Sequence, residues 1–360
     1  MMSDDAWYSY DGPESDVVLS TRIRLARNLA NFPFPSCFKD DDAIRVQTLI
    51  FDSFAHSSSP DSYQGIEVSK LDELGTQILV ERGVLDQNTK NISGSGVIVR
   101  TDGKFSCTVN EVDHVRFASF APGLEIEDTY RTVAQIDNEL QNSVQFAADY
   151  EHGFLTSAIK DSGSGMKISF RLHLPSLSMS AKMQNIFMNL DQSGFSMSDC
   201  FGSGQEKFSS LGFYYQVSTR TAASGNEASQ MASILSIIRQ LIDFERSERE
   251  LLSKKRISEI RDYVFKNFAK AKFATFLTLR EAIEIISAVK FGIGIKILEG
   301  ITDKELCALL YRIQNGHLQF VMKSKHFNFP ADIAENKTLK ENHLRTLVIQ
   351  ESFGNLKIAL

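Results

Sequence analysis

The chain has 360 residues, which is enough for two or three domains at the usual ~100–200 residues each. Its 42% hydrophobic and 23% charged residues are those of an ordinary globular protein. The net charge of -6 argues against a broad electrostatic contact with nucleic acid or an anionic membrane, so neither is expected as a partner.

The sequence shows no pattern typical of export or membrane insertion. Its N-terminal stretch is acidic, and apolar residues nowhere approach the ~18 in succession that a membrane-spanning helix needs. The four cysteines are scattered and form no CxxC pair, which favours free thiols in a reducing compartment over a zinc site or a disulfide framework. We therefore expect a cytoplasmic protein in which Cys37, Cys107 and Cys307 belong to the core.

The first two-thirds of the chain combines helices with strands. Residues 41–54 open with acidic residues and continue with apolar residues at helical spacing, so they predict a helix. The pair Asp102-Gly103 separates two β-rich runs, which is a strong hairpin signal. Residues 166–174 alternate between apolar and polar side chains, as in a half-buried strand, and 213–217 form another β-rich run. Hairpins in place of strict strand–helix–strand alternation predict an α+β fold with an antiparallel sheet.

The composition changes near residue 226, where helical patterns take over. Residues 226–256 predict one long amphipathic helix, with the charge-dense segment 245–256 as its solvated face. Further helices are expected at 257–268, 279–291, 303–314 and 339–352. Gly292 and Gly294 are expected to end the second of these. The sequence thus predicts a mixed part at 1–256 and a helical part at 257–360.

Several blocks of sequence point to a known family. The longest is GPESDVVLSTRIRLARN at 12–28, followed by FPFP at 32–35. Shorter blocks follow in order: NEVDHVR at 110–116, GFLTS at 153–157, HLP at 173–175, QVS at 216–218 and QLIDFERS at 240–247. Together they resemble the bacterial protein arginine kinases of the McsB type, relatives of creatine and arginine kinases among the ATP:guanido phosphotransferases. The resemblance implies a phosphagen-kinase-like catalytic domain at 1–256, with an antiparallel sheet flanked by helices, and a helical C-terminal domain at 257–360.

The resemblance also implies a chemistry and a cofactor. ATP with magnesium donates its γ-phosphoryl group to a guanidinium nitrogen of a protein arginine. The transition state is loose and highly charged, so positioning and electrostatics do nearly all of the catalysis. Arginines hold the phosphates through bidentate forks, while carboxylates hold the guanidinium and help to remove its proton. A cysteine of the family also touches the guanidinium.

The nucleotide-binding positions of the family are partly kept. Arg22, Arg24 and Arg116 match arginines that bind the ATP phosphates. Lys167 stands where the family has a fourth arginine, so it keeps the charge and loses the bidentate fork. The fifth arginine is replaced by Ser198. A histidine that contacts the nucleotide in the family falls on Gly83.

The acceptor positions of the family are replaced together. The two catalytic carboxylates fall on Val112 and Ser203, and the cysteine falls on Ala158. Loss of a general base alone costs roughly 10²–10⁴ in rate. Glu111 and Glu206 are the nearest acids that could serve as substitutes. This pattern predicts a catalytically impaired kinase with no dedicated metal site.

Other residues could have either a functional or a structural role. The family motif that receives phosphoarginine corresponds to residues 341–346, where only Arg345 survives and Glu341 would repel a phosphate, so we expect no phosphoarginine binding. Cys200 has no histidine beside it in sequence and is interpreted as an inert thiol. Glu111, Asp113 and His114 are interpreted as structural hydrogen-bonding residues. The glycine-containing segments 163–165 and 202–204 are plain turns or phosphate loops, and the sequence does not decide between them.

Three functions remain open on this reading. The first is a pseudokinase that serves as a regulatory or partner-binding scaffold in protein quality control. The second is an active kinase with a rebuilt acceptor site, and the third is an interaction module that binds no nucleotide. By resemblance, partners would be a zinc-containing activator of the McsA type and the Clp protease machinery, and the chain could form a homodimer.

Overall fold

The computed structural model describes residues 6–39, 41–86, 94–205, 208–222 and 226–359. Within them the central element is an eight-stranded sheet in which every pair of neighbours is antiparallel, with the order β2-β3-β4-β5-β1-β8-β10-β9. Its strands are β1 (Val18–Arg27), β2 (Tyr63–Glu67), β3 (Gly96–Arg100), β4 (Phe105–Val109), β5 (Val115–Pro122), β8 (Met166–His173), β9 (Phe195–Asp199) and β10 (Tyr214–Thr219). A small hairpin is formed by β6 (Ala148–Asp149) and β7 (Gly153–Phe154).

Helices flank this sheet and cover its apolar face. They are α1 (Asp42–Ala55), α2 (Glu73–Glu81), α3 (Ile126–Leu140), α4 (Pro175–Met179), α5 (Met183–Gln192) and α6 (Glu227–Lys255). The main core lies between the sheet and these helices, where Ile23 and Leu25 of β1 pack with Ile168 of β8 and with Ile238 of α6. The predicted α+β class with an antiparallel sheet is therefore confirmed, as are the predicted helix at 41–54 and the hairpin at Asp102-Gly103.

The C-terminal part is helical and continues the chain directly from α6. It contains α7 (Ile257–Phe273), α8 (Leu279–Gly294), α9 (Asp303–Arg312), α10 (Asn315–Ser324) and α11 (Lys337–Ser352), with a short hairpin of β11 (Leu298–Glu299) and β12 (Lys357–Ile358). The helices of this part bury a second core, which also includes Leu19, Leu211 and Tyr214 of the sheet-containing part. The chain passes from α6 to α7 at Arg256, and the residues on the two sides of this point share that core.

The helical prediction for this part needs two corrections. Gly292 and Gly294 were expected to end α8, and the helix does end at Gly294, three residues beyond the predicted 291. Gly292 is buried, and a Cβ there would approach Val264 at 2.8 Å, so its small size lets α8 pack closely on α7. Helix α10 was not predicted, because its residues follow α9 after a short break and have no strong start signal of their own.

Two further expectations about individual residues are wrong. Cys37 was assigned to the core but is exposed, in the short 3-10 turn Pro35–Cys37. The segment 245–256 was assigned to a solvated face, but Glu245 is fully buried and accepts hydrogen bonds from the backbone N–H groups of Ser176 (2.9 Å) and Leu177 (3.1 Å). The first turn of α4 supplies these donors, and a charge pattern in the sequence cannot reveal such a tertiary partner. No helix among the described residues is both long and apolar enough to cross a bilayer.

Candidate functional site: a cationic cleft

The face of the sheet opposite the main core is strongly cationic. Side chains of a strand alternate between the two faces, and the register places Arg24 of β1 directly opposite Lys167 of β8. Five cations of the described strands share this face: Arg22, Arg24, Arg116, Lys167 and Arg171. The sheet therefore concentrates positive charge from β5, β1 and β8 on one surface.

A cleft of about 110 Å³ lies over part of this surface. Its floor is formed by Arg22, Arg24 and Arg116, and its far side by Glu111 together with Ser106 and Thr108 of β4. The segment 83–86, which follows α2, forms the remaining wall. Gly83, the position that matches the family's nucleotide-contacting histidine, lies in this wall and therefore borders the cleft. Its φ is 72°.

Two of the floor arginines are poorly compensated. The Nε atoms of Arg22 and Arg24 are buried and have no hydrogen-bond acceptor among the described residues. Burial lowers the pKa of Arg22 to about 9, and the charge of Arg24 adds to this effect. Burial and the charge of Arg116 lower the pKa of Arg24 in the same way. A bound polyanion would supply the missing acceptors and offset the repulsion between the cations.

Arg116 differs from these two because it is already paired. Its Nε donates to Asp113 at 3.1 Å, and its Nη1 lies 3.4 Å from Glu111. Glu111 also accepts a hydrogen bond from the hydroxyl of Thr108 at 3.3 Å. Glu111, which was proposed above as a substitute for the missing catalytic acid, thus lines the cleft and orients Arg116.

The residues after Glu111 hold neighbouring loops together. Asp113 is fully buried and accepts hydrogen bonds from Asn28 (3.0 Å) and from the backbone of Ser157 (2.7 Å). His114 accepts from the backbone of Leu29 through Nδ1 at 2.9 Å. Its Nε2 must then carry the proton, which it donates to the carbonyl of Pro33 at 2.9 Å. These contacts fix the loop that carries Glu111.

The acceptor positions fall into two places. Val112 is 44% exposed and directly follows Glu111, which lines the cleft. Ala158 follows Ser157, whose backbone N–H donates to Asp113, so its loop is bonded to the loop that carries Glu111. Asp161, in the turn that follows, is close enough to Arg24 and Lys167 to favour their charged forms. Val112 and Ala158 thus carry apolar side chains where the family has an acid and a thiol, and neither of them lines the cleft.

Ser203 and Ser198 lie elsewhere. Both belong to β9 or the loop after it, four strands from β5 in the sheet order, which is ~19 Å at the usual strand spacing. The hydroxyl of Ser203 donates to Asp199 at 2.9 Å, and its carbonyl accepts from Arg280 at 3.2 Å. The structure does not bring this position to Val112 and Ala158. Glu206, the other proposed substitute, lies outside the described residues.

Arg171 is a further cation of this face that was not predicted. Arg171 was placed on the polar side of its strand but was given no role, although the alternation that marks Lys167 marks it equally. A Cβ on Gly83 would lie 3.6 Å from its Nη2 atom, and its Nη1 atom donates to the hydroxyl of Tyr311 in α9 at 3.1 Å. Arg171 therefore reaches the wall of the cleft from below.

Two other candidates have structural surroundings. Burial raises the pKa of Cys200 to about 12, so its thiol stays protonated and is a poor nucleophile. Arg345 is buried and donates to the carbonyls of Ile313 (2.9 Å) and Leu277 (2.8 Å) and to the side chain of Asn342 (2.7 Å). Its guanidinium also contacts Asn315, so no nitrogen remains for a phosphate. Glu341 is buried as well, and it accepts from Gln319 at 3.0 Å.

Among the described residues, no three His, Cys, Asp or Glu side chains are grouped so that they could hold a metal ion by themselves. The cleft floor instead has the donor set that suits phosphate oxygens, namely guanidinium groups with unused N–H donors. ATP with magnesium, in which the phosphates carry the metal, fits these residues.

Comparison with known proteins agrees with this geometry. Residues 45–248 match the model of the ATP:guanido phosphotransferase C-terminal catalytic domain, and residues 257–355 match that of the protein-arginine kinase McsB C-terminal domain. A protein-arginine kinase of Pelotomaculum thermopropionicum is 29% identical over 98% of this chain and 96% of its own length. One of Syntrophomonas wolfei is 30% identical over 87% of this chain and 88% of its own length.

Solved structures show the same fold. A lombricine kinase superposes with a TM-score of 0.58 at 19% identity, covering 72% of this chain and 73% of its own. A duplicated taurocyamine kinase from Schistosoma mansoni, with bound transition state analog components, superposes with a TM-score of 0.57 at 21% identity, over 78% of this chain and 41% of its own. Together with the matched domains and the shared sheet, these findings show that the chain belongs to the protein-arginine kinase branch of the ATP:guanido phosphotransferase family.

Proposed function

We propose that this chain binds ATP with magnesium in the cationic cleft but transfers the γ-phosphoryl group to protein arginine at a strongly reduced rate or not at all. It would act in the cytoplasm as a regulatory, partner-binding member of its family in protein quality control. One observation carries the proposal. The floor keeps Arg22 and Arg24 with unused donors, while the family's acceptor positions, Val112 and Ala158, carry no charge.

The two halves of the cleft have opposite consequences for the reaction. Arg22, Arg24 and Arg116 would hold the phosphate chain and neutralise its charge. An incoming guanidinium, however, would meet an apolar surface at Val112 and leave its N–H groups unpaired. Glu111 is nearby but is engaged by Arg116, so moving it to the acceptor would uncouple a phosphate-binding residue. Nucleotide binding is thus supported, and acceptor binding is not.

The first test is a mass-spectrometric assay for phosphoarginine. Purified protein is incubated with ATP, magnesium and an arginine-rich acceptor protein, with and without a McsA-type activator. We expect no more phosphoarginine than with Arg22→Ala, and a gain in Val112→Glu, which places a carboxylate directly after Glu111. Wild-type activity equal to that of Val112→Glu, and lost in Arg22→Ala, would instead establish an active kinase with a rebuilt acceptor site, and Glu111→Gln would then be the next variant.

The second test separates a pseudokinase from a module that has lost nucleotide binding. Calorimetric titration with ATP and magnesium should give a binding heat in the wild type. Arg22→Ala should abolish it, whereas the control Arg131→Ala, at an exposed arginine on α3, should keep it. The absence of a binding heat in well-folded wild-type protein would support the interaction module and reject our proposal.

The partners form a separate part of the proposal. By family resemblance they are a McsA-type activator, the Clp protease machinery and a second copy of the chain. Light scattering on the purified protein tests the homodimer, and co-elution with purified activator tests the first partner. A monomer that binds no activator would remove the scaffold role while leaving the nucleotide question untouched.

A further inference from the structure

The wall of the cleft is attached to the C-terminal helices. Glu81, the last residue of α2, accepts the backbone N–H of Gly316 through both carboxylate oxygens, at 2.8 and 3.0 Å. Gly316 is in the first turn of α10, where a carboxylate is stabilised by the helix dipole and caps a free N–H. A Cβ at Gly316 would lie 2.7 Å from Glu81 Oε2, so the close contact depends on a glycine.

This contact is only two residues away from the cleft. The segment 83–86 follows Glu81 after Arg82 and forms one wall, and its Leu85 is buried against Val68 and Val97. The wall is therefore fixed at both ends, to α10 through Glu81 and to the sheet through Leu85. A change in the position of α10 would move the end that is nearer to Gly83.

A second contact connects the C-terminal helices to the floor. Tyr311 of α9 accepts a hydrogen bond from Arg171 at 3.1 Å, and Arg171 lies beside Gly83 and close to Arg22. The Tyr311 ring stacks on Tyr8 at 4.3 Å and meets Trp7 edge-on at 5.6 Å. These aromatic contacts hold the phenol in place, so its hydroxyl can orient the guanidinium.

We propose that Glu81 and Tyr311 are positioning residues for the nucleotide: through them, α10 and α9 set the wall at 83–86 and the direction of Arg171. The inference rests on the proposed binding of ATP in the cleft. It makes the C-terminal helices part of the nucleotide site although none of their residues lines the cleft. The competing interpretation is that both contacts only stabilise the junction between the two parts of the chain.

The experiment compares two pairs of matched variants by calorimetric titration with ATP and magnesium. Tyr311→Phe removes only the hydroxyl, and its control is Tyr8→Phe, on the ring that stacks against it. Glu81→Gln removes the charge, and its control is Glu73→Gln, an exposed residue at the other end of α2. We expect Kd to rise roughly fivefold in Tyr311→Phe and in Glu81→Gln, the usual effect of one hydrogen bond, and to stay near the wild-type value in both controls.

A double-variant cycle separates positioning from simple stabilisation. If Tyr311 acts through Arg171, then Tyr311→Phe should have no further effect on Kd in an Arg171→Met background. Unchanged Kd values in Tyr311→Phe and Glu81→Gln, in a protein that binds ATP, would overturn this inference and leave the proposed function standing. A wild-type protein that binds no ATP would overturn both.

Discussion

Glu245 is a buried carboxyl group whose pKa is raised by the fold, and experiments can test this shift. It has no exposed surface and caps the first turn of α4, and burial raises its pKa to about 7 against the opposing effect of its hydrogen-bond donors. Because the folded-state pKa lies above the unfolded value of 4.5, its contribution to stability is fully present below pH 4.5 and is lost as the pH rises through about 7.

The first prediction concerns the pH dependence of stability. The free energy of unfolding of the wild type should fall between pH 4.5 and 7.5 more steeply than that of Glu245→Gln, by at most about 3 kcal/mol over the range. Denaturant titrations of both proteins at several pH values give this difference in slope. Parallel curves would mean that the pKa of Glu245 is the same in the folded and unfolded states.

A second residue-scale prediction concerns Arg345. Its planar guanidinium serves four acceptors, including the carbonyls of Ile313 and Leu277, which a lysine cannot reach together. Arg345→Lys should lower the free energy of unfolding by about 2–4 kcal/mol, while Arg261→Lys at an exposed site on α7 should have little effect. Denaturant unfolding measures both. If the wild type binds phosphoarginine and Arg345→Lys does not, then Arg345 is a phosphoarginine receptor and our structural interpretation of it is wrong.

At the scale of elements, the N-terminal segment depends on one close backbone approach. A Cβ at Gly12 would overlap the carbonyl oxygen of Pro122 at the end of β5. This approach brings Trp7, the single tryptophan of the chain, onto Phe120 at 5.9 Å between ring centroids. Tryptophan fluorescence therefore reports whether the segment is docked.

The element-scale prediction uses that signal. Gly12→Ala should displace the segment, shift the fluorescence of Trp7 to longer wavelength and lower the free energy of unfolding by about 1–3 kcal/mol. Gly294→Ala is the control, because its new Cβ would meet only the flexible end of Arg249 at 3.3 Å. An unchanged emission spectrum in Gly12→Ala would show that β5 yields to the added methyl group.

At the scale of the whole molecule, the two parts share apolar surface. The second core contains Leu19, Leu211 and Tyr214 next to residues of α7, α8 and α9. The first family match ends at residue 248 and the second begins at 257, on either side of Arg256. The second core nevertheless contains residues from both sides of this point. The domain boundary at 256 therefore stays a prediction from the sequence. Because the two parts share a core, we expect them to unfold together.

The whole-molecule prediction is one cooperative transition. Unfolding followed by the fluorescence of Trp7, at the junction with α9, should coincide with unfolding followed by far-ultraviolet circular dichroism, which reports all helices. Denaturant titration with both probes checks this. Two separate midpoints would show that the helical part unfolds independently of the sheet.

Much of this architecture could be predicted because its signals are local. The alternation in 166–174 predicted the strand β8 and its polar side, and the Asp102-Gly103 turn predicted the hairpin. The contacts that could not be predicted join residues that are far apart in the sequence. Arg171 and Tyr311 are 140 positions apart, and Glu81 and Gly316 are 235 apart, so no pattern within either segment announces the contact. The same reason explains why Glu245 was assigned to a solvated face.

The exposed Cys37 makes this protein suitable for labelling at one position. Cys107 is buried, and burial raises the pKa of Cys200 to about 12 and that of Cys307 to about 11, so these thiols react slowly at neutral pH. A maleimide dye should therefore attach at Cys37 without any substitution in the chain. The neighbouring Phe38 stacks on His114 at 5.2 Å, close to the loop that carries Glu111. A dye at this place would report movements of the loop that carries Glu111 in real time.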